Sequence, residues 1–313
     1  MKFLIVGAGG TGGAIAAYLS RPESRSDVSL IARGAHLDAI KKEGLRLTVE
    51  DRNKTVLEER SRNVCAFSED EYIGSGETPD VIFICTKSYS IPEVAPLINR
   101  VAGPDTLIIP TLNGIRMNEY VGQYVRSGQI ISGCIYINAM KSEPGCITMV
   151  GPLFRIVFGS EDELTEETEQ RLSELAERMN RCGIRTIFSH NILRDTIRKF
   201  SYVSPAGITC LCQKARVGAI QKEGDAREQF VSLIRDLIEL AHAMEITFDV
   251  DLVQTNLNIV DHLDPDIGTS MQRDVDAGRQ NESDVQILFP IRLGERYGAP
   301  MAHYRAAAEK LAL

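Results

Sequence analysis

A glycine-rich segment near the start of the chain has the residue types and the spacing that bind a phosphate group. It consists of Gly7, Ala8, Gly9, Gly10, Thr11 and Gly12. The apolar run 3–6 precedes it and the helix-forming stretch 14–19 follows it, which is the context that such a motif requires. The first glycine allows a tight turn, the second lets the backbone approach a pyrophosphate, and the third allows close helix–strand packing. Because a helix N-terminus attracts phosphate, the segment predicts a dinucleotide site; the alternative is a glycine-rich turn without a ligand.

The end of the next predicted strand indicates which dinucleotide binds. Residues 28–32 form a short apolar run, and Arg33 follows it directly. NAD-binding folds usually place an acidic residue here, about 20 residues after the glycines, to bind the ribose 2′-hydroxyl. A guanidinium instead suits a 2′-phosphate by its charge and its paired donors, and this position carries no carboxylate that would repel the phosphate. We therefore predict NADPH/NADP+ as the cofactor; the alternative is a solvated surface arginine.

Three further candidates lie where predicted strands end. Lys87 and Asn113 each come shortly after an apolar run, and Ala139 ends a longer strand predicted over residues 130–140. Loops at strand ends carry function more often than other surface positions do. Each of the three is therefore a candidate functional residue, with an ordinary loop or turn residue as the alternative.

One lysine in the second half of the chain has the chemistry of an acid. Lys199 lies in a helical stretch beside Phe200 and close to Tyr202. Burial against such neighbours lowers the pKa of a lysine toward the working pH and makes it a usable general acid. The alternative is a helix lysine that extends its charged end into solvent.

Two kinds of domain are needed to position these residues. Short apolar runs alternate with helical segments through the first half, which is typical of a doubly wound parallel sheet. The later pattern is helical, with one apolar face over residues 230–244. We predict an α/β Rossmann-type dinucleotide-binding domain over residues 1–190 and an all-α substrate and catalytic domain over residues 191–313. In such folds the active site lies in the cleft between the domains.

Local patterns predict several further elements. The additional strands cover residues 130–140, 146–150, 155–158 and 184–188, the last of which closes the sheet. The additional helices are residues 165–182 with Thr165 as cap, a helix opened by Asp264 and Pro265, and residues 282–297. Pro144 and Gly145 predict a turn between two of the strands.

Composition excludes several classes of protein. With 313 residues, 43% hydrophobic and 25% charged, the chain is typical of a globular protein of about two domains. The formal net charge of −8 argues against nucleic-acid and anionic-membrane partners, and no apolar run approaches the ~20 residues of a membrane span. The seven cysteines and five histidines show no disulfide framework or metal motif. These features predict a cytoplasmic protein without a metal.

Together the motifs resemble those of the ketopantoate reductases, also called 2-dehydropantoate 2-reductases, over essentially the whole chain. The fragments that carry the resemblance are the glycine segment, Arg33, Thr86-Lys87, Leu112-Asn113-Gly114, Arg198-Lys199, Ser270-Met271-x-x-Asp274, Gly278-Arg279-x-x-Glu282-x-Asp284 and Tyr297-Gly298-Ala299-Pro300. Each fragment is weak alone, whereas their order and spacing are specific.

The resemblance implies the NADPH-dependent reduction of ketopantoate to D-pantoate, on the route to pantothenate and coenzyme A. It matches Lys199 to the family's general acid and Glu282 to an acidic residue of its active site. Asn113 matches a contact to both nicotinamide and substrate, and Ser270 matches a contact to the substrate. The further cofactor contacts that it implies are Lys87 and Ala139. The expected partner is a small 2-keto acid, and the expected assembly is a monomer or a homodimer.

The substrate side departs from the family pattern. Val203 and Gly207 stand where the family usually has asparagines, four and eight residues after its lysine, and Ile287-Leu288 replaces an Asn-Gly. A short gap would instead align Ser204 with one asparagine, which makes Ser204 a further candidate for substrate binding. Two alternatives therefore stay open: a reductase of another branched 2-keto acid, and a catalytically silent NADP(H)-binding sensor.

Overall fold

Strands and helices alternate through the first part of the computed structural model, which describes residues 1–51 and 54–313. Its strands are β1 (Lys2–Val6), β2 (Asp27–Ile31), β3 (Leu45–Asp51), β4 (Lys54–Ser61), β5 (Val64–Phe67), β6 (Val81–Ile84), β7 (Leu107–Pro110), β8 (Gln129–Ile130), β9 (Ser132–Tyr136), β10 (Ala139–Glu143), β11 (Cys146–Val150), β12 (Arg155–Gly159) and β13 (Arg185–Phe188). Its helices are α1 (Gly10–Leu19), α2 (Gly34–Glu43), α3 (Glu69–Ser75), α4 (Ile91–Val101), α5 (Met117–Gly122), α6 (Glu166–Arg181), α7 (Ile192–Cys212), α8 (Asp225–Ala243), α9 (Leu252–Asp261), α10 (Ser270–Asp276), α11 (Phe289–Tyr297) and α12 (Ala302–Lys310). None of the helices within residues 1–51 and 54–313 combines the length and the hydropathy that a bilayer span needs.

The described residues divide into two compact units. The first comprises residues 1–112 and 116–192, and the second comprises residues 113–115 and 193–313. The short segment 113–115 therefore belongs with the helical half of the chain, although it follows β7 in sequence.

The first unit is built on a six-stranded parallel sheet with the order β5-β2-β1-β6-β7-β8. Strands β1, β2, β6 and β7 are buried almost throughout, as expected for strands that are covered on both faces. The strand order reverses between β1 and β6, and open α/β sheets bind ligands at the carboxyl ends of the strands at such a point. The predicted doubly wound fold is confirmed.

Helix α1 is apolar on all sides because strands of two sheets cover it. It packs against β1 and β2 and also against β3, β10 and β11 of a mixed sheet with the order β10-β11-β3-β4. This second sheet was not predicted, and it divides the strand predicted over residues 130–140: β9 ends at Tyr136, and Ala139 begins β10. Pro144 and Gly145 form the predicted turn, which joins β10 to the antiparallel β11.

Residues 184–188 do not close the parallel sheet, so that prediction was wrong. Strand β13 pairs instead with β12 in a separate sheet with the order β13-β12-β9. Its burial alternates along the strand, which is typical of a strand with one solvated face. Helix α6, which precedes it, begins at the predicted cap, where the Thr168 N–H donates to Thr165 Oγ1 at 3.2 Å.

The second unit is helical, as predicted. Its core joins α7, α8 and α9 through buried side chains that include Ala206, Cys210, Phe230, Ile234, Leu252 and Val260. The face predicted over residues 230–244 lies on α8, which ends at Ala243.

Two predicted helix starts in this unit are displaced. Asp264 and Pro265 lie in a turn, because Asp264 Oδ1 accepts the N–H of Asp266 at 2.9 Å, a side-chain bond that competes with helix formation. Helix α10 begins only at Ser270. The helix predicted over residues 282–297 starts as a π-helical turn, Asp284–Leu288, and continues as α11.

The cysteines of the described residues are not joined by disulfides. Burial raises the pKa of Cys182 and of Cys210 to about 11, so these two thiols are inert at neutral pH. Within residues 1–51 and 54–313, no group of three or more His, Cys, Asp or Glu side chains is placed to hold a metal ion.

Candidate active site

The glycine segment forms the predicted turn between β1 and α1. Gly7 has a φ of 107°, and a Cβ on Gly12 would lie 2.0 Å from the Gly7 carbonyl oxygen, so both positions require glycine. A Cβ on Gly9 would instead meet no atom of the described residues within 4 Å. Because Gly9 directly precedes the first residue of α1, this open side can hold a pyrophosphate at the helix N-terminus.

Ala139 lies beside the glycine segment. A Cβ on Gly10 would lie 2.2 Å from the Ala139 carbonyl oxygen, so the start of β10 closes one side of the turn through its backbone. The structure thus places Ala139, a predicted cofactor contact, next to the glycine segment. Its contact with a cofactor stays a prediction.

His36, which sequence patterns did not single out, is buried in α2. Its Nδ1 accepts the N–H of Gly145 at 2.8 Å, so this nitrogen carries no proton. Burial lowers the pKa of His36, the charge of Lys141 lowers it further, and the carbonyl of Ala8 acts in the opposite direction. A neutral histidine therefore lies between the glycine segment and the β10–β11 turn.

Arg33 lies directly after β2, as predicted, and two carboxylates engage it. Its Nη1 donates to Glu93 Oε1 at 2.7 Å, and its Nη2 donates to Glu69 Oε1. These hydrogen bonds, the one to Glu69 first, hold the pKa of the guanidinium above its usual value. The position itself carries no acidic residue, but the fold brings two carboxylates to it from elsewhere in the chain. Glu69 begins α3 and Glu93 lies in the first turn of α4, far from Arg33 in sequence.

Lys87 follows β6, the neighbour of β1 at the point where the strand order reverses. It is half-buried and precedes a short 3₁₀ turn, Ser88–Ser90. A cation at this end of the sheet suits the anionic part of a dinucleotide. The contact of Lys87 with a cofactor stays a prediction.

Lys199 and Asn113 come together in the second unit, although 86 residues separate them in sequence. Lys199 Nζ donates to Asn113 Oδ1 at 2.5 Å, and both residues are half-buried. A bond to a neutral amide oxygen positions an ammonium without removing its proton. The pair can therefore present a fixed positive charge and a transferable proton.

Glu282 and Ser270 belong to the same unit. Glu282 is 5% exposed and comes shortly before the π-helical turn, a feature that is frequent at functional sites. Ser270 is the half-buried first residue of α10, and Thr269 rather than Ser270 caps this helix by accepting the N–H of Gln272 at 3.2 Å. The predicted roles of Glu282 and Ser270 stay predictions.

Ser204 is engaged inside the protein, and its predicted contact with a substrate stays a prediction. Its side chain is fully buried, and its hydroxyl donates to the Gln286 carbonyl oxygen at 2.6 Å and lies 2.8 Å from Tyr304 Oη. A serine hydroxyl has one proton to donate, so Tyr304 is the donor in the second bond. Ser204 thus joins α7 to the π-helical turn and to α12.

The positions of the two missing asparagines have different surroundings. Val203 is half-buried, whereas Gly207 is buried, and a Cβ on Gly207 would lie 2.9 Å from Met271 Cε and 3.8 Å from Gln286 Oε1. Gln286 was missed by sequence reasoning. Its side chain is 1% exposed, and its Nε2 has no hydrogen-bond partner among the described residues. Such a donor is unusual, because buried polar groups in proteins are normally hydrogen-bonded. The signal for Gln286 in the sequence is a polar residue within the apolar run 285–289.

Comparison with known proteins covers both units. The family model described as ketopantoate reductase PanE/ApbA matches residues 3–163. The model of the C-terminal part of the same family matches residues 191–312.

Individual relatives agree with this match. YkpB of Bacillus subtilis (strain 168), described as an uncharacterized oxidoreductase, is 29% identical over 299 residues, which cover 95% of this chain and 93% of that protein. The 2-dehydropantoate 2-reductase of Mesorhizobium japonicum is 26% identical over 330 residues, which cover 96% of this chain and 93% of that protein. A structure of D-mandelate dehydrogenase with NADH and anilino(oxo)acetate has a TM-score of 0.84 at 22% identity, covering 100% of this chain and 97% of that one. Because the family models match most of its length, the chain belongs to the ketopantoate reductase PanE/ApbA family, which places it among the oxidoreductases.

Proposed function

We propose that the protein reduces the 2-keto group of ketopantoate to D-pantoate with NADPH. The observation that carries the proposal is the hydrogen bond from Lys199 Nζ to Asn113 Oδ1. A ketone carbon that accepts a hydride leaves an alkoxide, which needs a proton and a positive field at its oxygen. A positioned ammonium supplies both. The product would serve the route to pantothenate and coenzyme A.

In this proposal the second unit supplies the acid and holds the keto acid. Lys199 donates a proton from Nζ to the developing alkoxide oxygen, and Asn113 keeps that nitrogen in place. Glu282 balances the charge of the ammonium and accepts a hydrogen bond from the substrate hydroxyl. Ser270 contacts the substrate from the start of α10.

The first unit fits a dinucleotide. NADPH, when bound, supplies the hydride. Gly9 leaves room for the pyrophosphate at the N-terminus of α1. Arg33 would bind the 2′-phosphate by exchanging its glutamate partners for it, and Lys87 and Ala139 would complete the contacts from the ends of β6 and β10.

A second candidate is a reductase of a different 2-keto acid. The observation that favours it is the surroundings of Gly207, where a Cβ would lie 2.9 Å from Met271 Cε, so an asparagine there would require the end of Met271 to move. This position therefore offers a thioether methyl group and the amide of Gln286 in place of one asparagine side chain. D-mandelate dehydrogenase, whose structure with NADH and anilino(oxo)acetate has the same fold, supports this second candidate.

The test is the loss of NADPH absorbance on addition of 2-keto acids, with ketopantoate, its analogue without the hydroxyl, and phenylglyoxylate in the panel. We expect ketopantoate to give the highest kcat/KM. Turnover of another keto acid without turnover of ketopantoate would contradict the substrate and leave the reductase. A folded, NADPH-binding preparation that reduces no carbonyl compound would contradict the reaction and favour the sensor.

A further inference from the structure

We infer that Glu69 and Glu93 compete with the 2′-phosphate of NADPH for Arg33, so that the protein binds NADH as well as NADPH and discriminates weakly between them. The inference rests on the proposed function only in taking a nicotinamide dinucleotide as the ligand. It concerns the selectivity of the first unit, not the keto acid.

The two glutamates reach Arg33 from different helices. Glu69 Oε1 accepts from Arg33 Nη2, and Glu93 Oε1 accepts from Nη1 at 2.7 Å. Both nitrogens of the guanidinium fork, which would form the paired bonds to a phosphate, are therefore already engaged by carboxylates.

The positions of the glutamates are set by local structure. Glu69 is the first residue of α3, and a reciprocal capping box between Ser68 and Glu71 fixes that helix start. Glu93 lies in the first turn of α4. Helix N-termini stabilise negative charge, so both positions suit a carboxylate.

Exposure separates the two contacts. The side chain of Glu69 is 28% exposed, whereas those of Arg33 and Glu93 are 60% and 58% exposed. Glu69 is therefore the more firmly held partner, and Glu93 is the one that an incoming ligand displaces more easily.

The local charge disfavours a phosphate. One guanidinium and two carboxylates give a formal net charge of −1, and a 2′-phosphate adds about −1.5 to −2 at neutral pH. A ribose 2′-hydroxyl, by contrast, donates a hydrogen bond to a carboxylate without a charge penalty. NADPH binding thus breaks one or both hydrogen bonds between Arg33 and the glutamates. NADH binding instead forms a hydrogen bond from its ribose 2′-hydroxyl to a glutamate.

The experiment measures dissociation constants of NADPH and NADH by titration calorimetry for the wild type, Glu93→Gln, Glu69→Gln and the double variant. Glutamine keeps the size and the hydrogen-bonding oxygen and removes the charge. Glu163→Gln, an exposed acidic residue of the same unit, is the matched control. We expect each single variant to tighten NADPH binding about three- to fivefold, the scale of an exposed charge pair, and the double variant to tighten it about tenfold or more.

We expect the less exposed Glu69 to accept the hydrogen bond of the ribose 2′-hydroxyl of NADH. The affinity for NADH should therefore fall in Glu69→Gln and stay within about twofold of the wild type in Glu93→Gln. The same titrations with 2′,5′-ADP and 5′-AMP, which differ only in the 2′-phosphate, isolate that group from the rest of the cofactor. Raising the salt concentration should shrink the difference between the wild type and the double variant, because salt screens exposed charges.

An unchanged ratio of NADPH to NADH affinity in the double variant, with wild-type thermal stability, overturns the inference. So does a wild type that binds NADPH a hundredfold more tightly than NADH. If the variants shift this ratio but no keto acid is reduced, the proposed function fails and the inference stands. If keto acids are reduced and the ratio does not move, the inference alone fails.

Discussion

Lys199 Nζ and Asn113 Oδ1 lie 2.5 Å apart and form a hydrogen bond inside the second unit. Helix α7 carries the lysine, and the short segment after β7 carries the amide. A neutral carbonyl oxygen accepts a hydrogen bond from an ammonium without taking its proton. The bond therefore joins an acid to the group that holds it in place.

Replacing Lys199 with alanine should lower kcat by about 10²–10⁴-fold, the usual contribution of a general acid. NADPH affinity should barely change, because the lysine acts on the substrate oxygen. Steady-state kinetics and cofactor titration measure both quantities. Arg198→Ala, at the exposed neighbouring position, is the control and should keep wild-type turnover. Near-native turnover in Lys199→Ala would show that Lys199 is not the general acid.

Asn113→Ala should lower kcat by about 10²-fold, because a displaced ammonium no longer meets the alkoxide oxygen. The double variant Asn113→Ala/Lys199→Ala should be no slower than Lys199→Ala alone, since the two residues act as one unit. Independent, multiplicative losses would show that Asn113 contributes through another contact.

Gly9 and Gly12 should respond differently to the same added methyl group. In Gly9→Ala the Cβ meets no described atom within 4 Å, so the free energy of unfolding should change by less than about 0.5 kcal/mol while dinucleotide binding weakens by about 1–3 kcal/mol. In Gly12→Ala the Cβ lies 2.0 Å from the Gly7 carbonyl oxygen, so stability itself should fall by about 1–3 kcal/mol. Denaturant unfolding and cofactor titration separate the effects. Equal loss of stability in both variants would contradict the open side of Gly9.

His36 should make stability depend on pH. The folded state holds its pKa below the ordinary value of about 6.5, so the folded protein binds fewer protons than the unfolded chain below that pH. The stabilising contribution is present at neutral pH and is lost as the pH falls below about 6.5 toward the lowered folded value. His36→Asn, whose side-chain oxygen can accept the Gly145 N–H, should lose less thermal stability between neutral and mildly acidic pH than the wild type.

Melting temperatures across this pH range test the expectation for His36. His242→Asn, at an exposed position in the last turn of α8, should follow the wild-type curve. If the melting temperatures of His36→Asn and the wild type fall in parallel with pH, His36 does not cause the pH dependence of stability.

Ser204→Ala should destabilise the second unit and leave substrate choice unchanged. Its hydroxyl serves the Gln286 carbonyl and Tyr304, so removal strands buried polar groups at a cost of about 1–3 kcal/mol. Thermal unfolding should show this loss, while the ratio of kcat/KM for ketopantoate and its analogue without the hydroxyl stays constant. A selective fall in kcat/KM for hydroxylated substrates would show that Ser204 contacts the substrate.

Much of the first unit could be predicted from local patterns. The apolar runs before Gly7 and Arg33 are strands because they are short, continuous and bounded by turn residues, and the glycines identify the phosphate turn. Lys199 and Asn113 were recognised one by one from a helix and a strand end. The mixed sheet around α1 was not predicted, because its strands alternate and pair across distant parts of the chain.

The features that local patterns missed all depend on contacts between residues far apart in sequence. Glu69 and Glu93 surround Arg33 because α3 and α4 bring their first turns to the end of β2, and no spacing rule at Arg33 contains them. Burial of the Ser204 hydroxyl depends in the same way on α12. Propensity, turn chemistry and motif spacing act over a few residues, so the chain reveals which groups are available. The charge partners and the solvent exposure of these groups arise only when distant segments pack. Packing therefore decides that Arg33 is paired with two glutamates and that the Ser204 hydroxyl is buried.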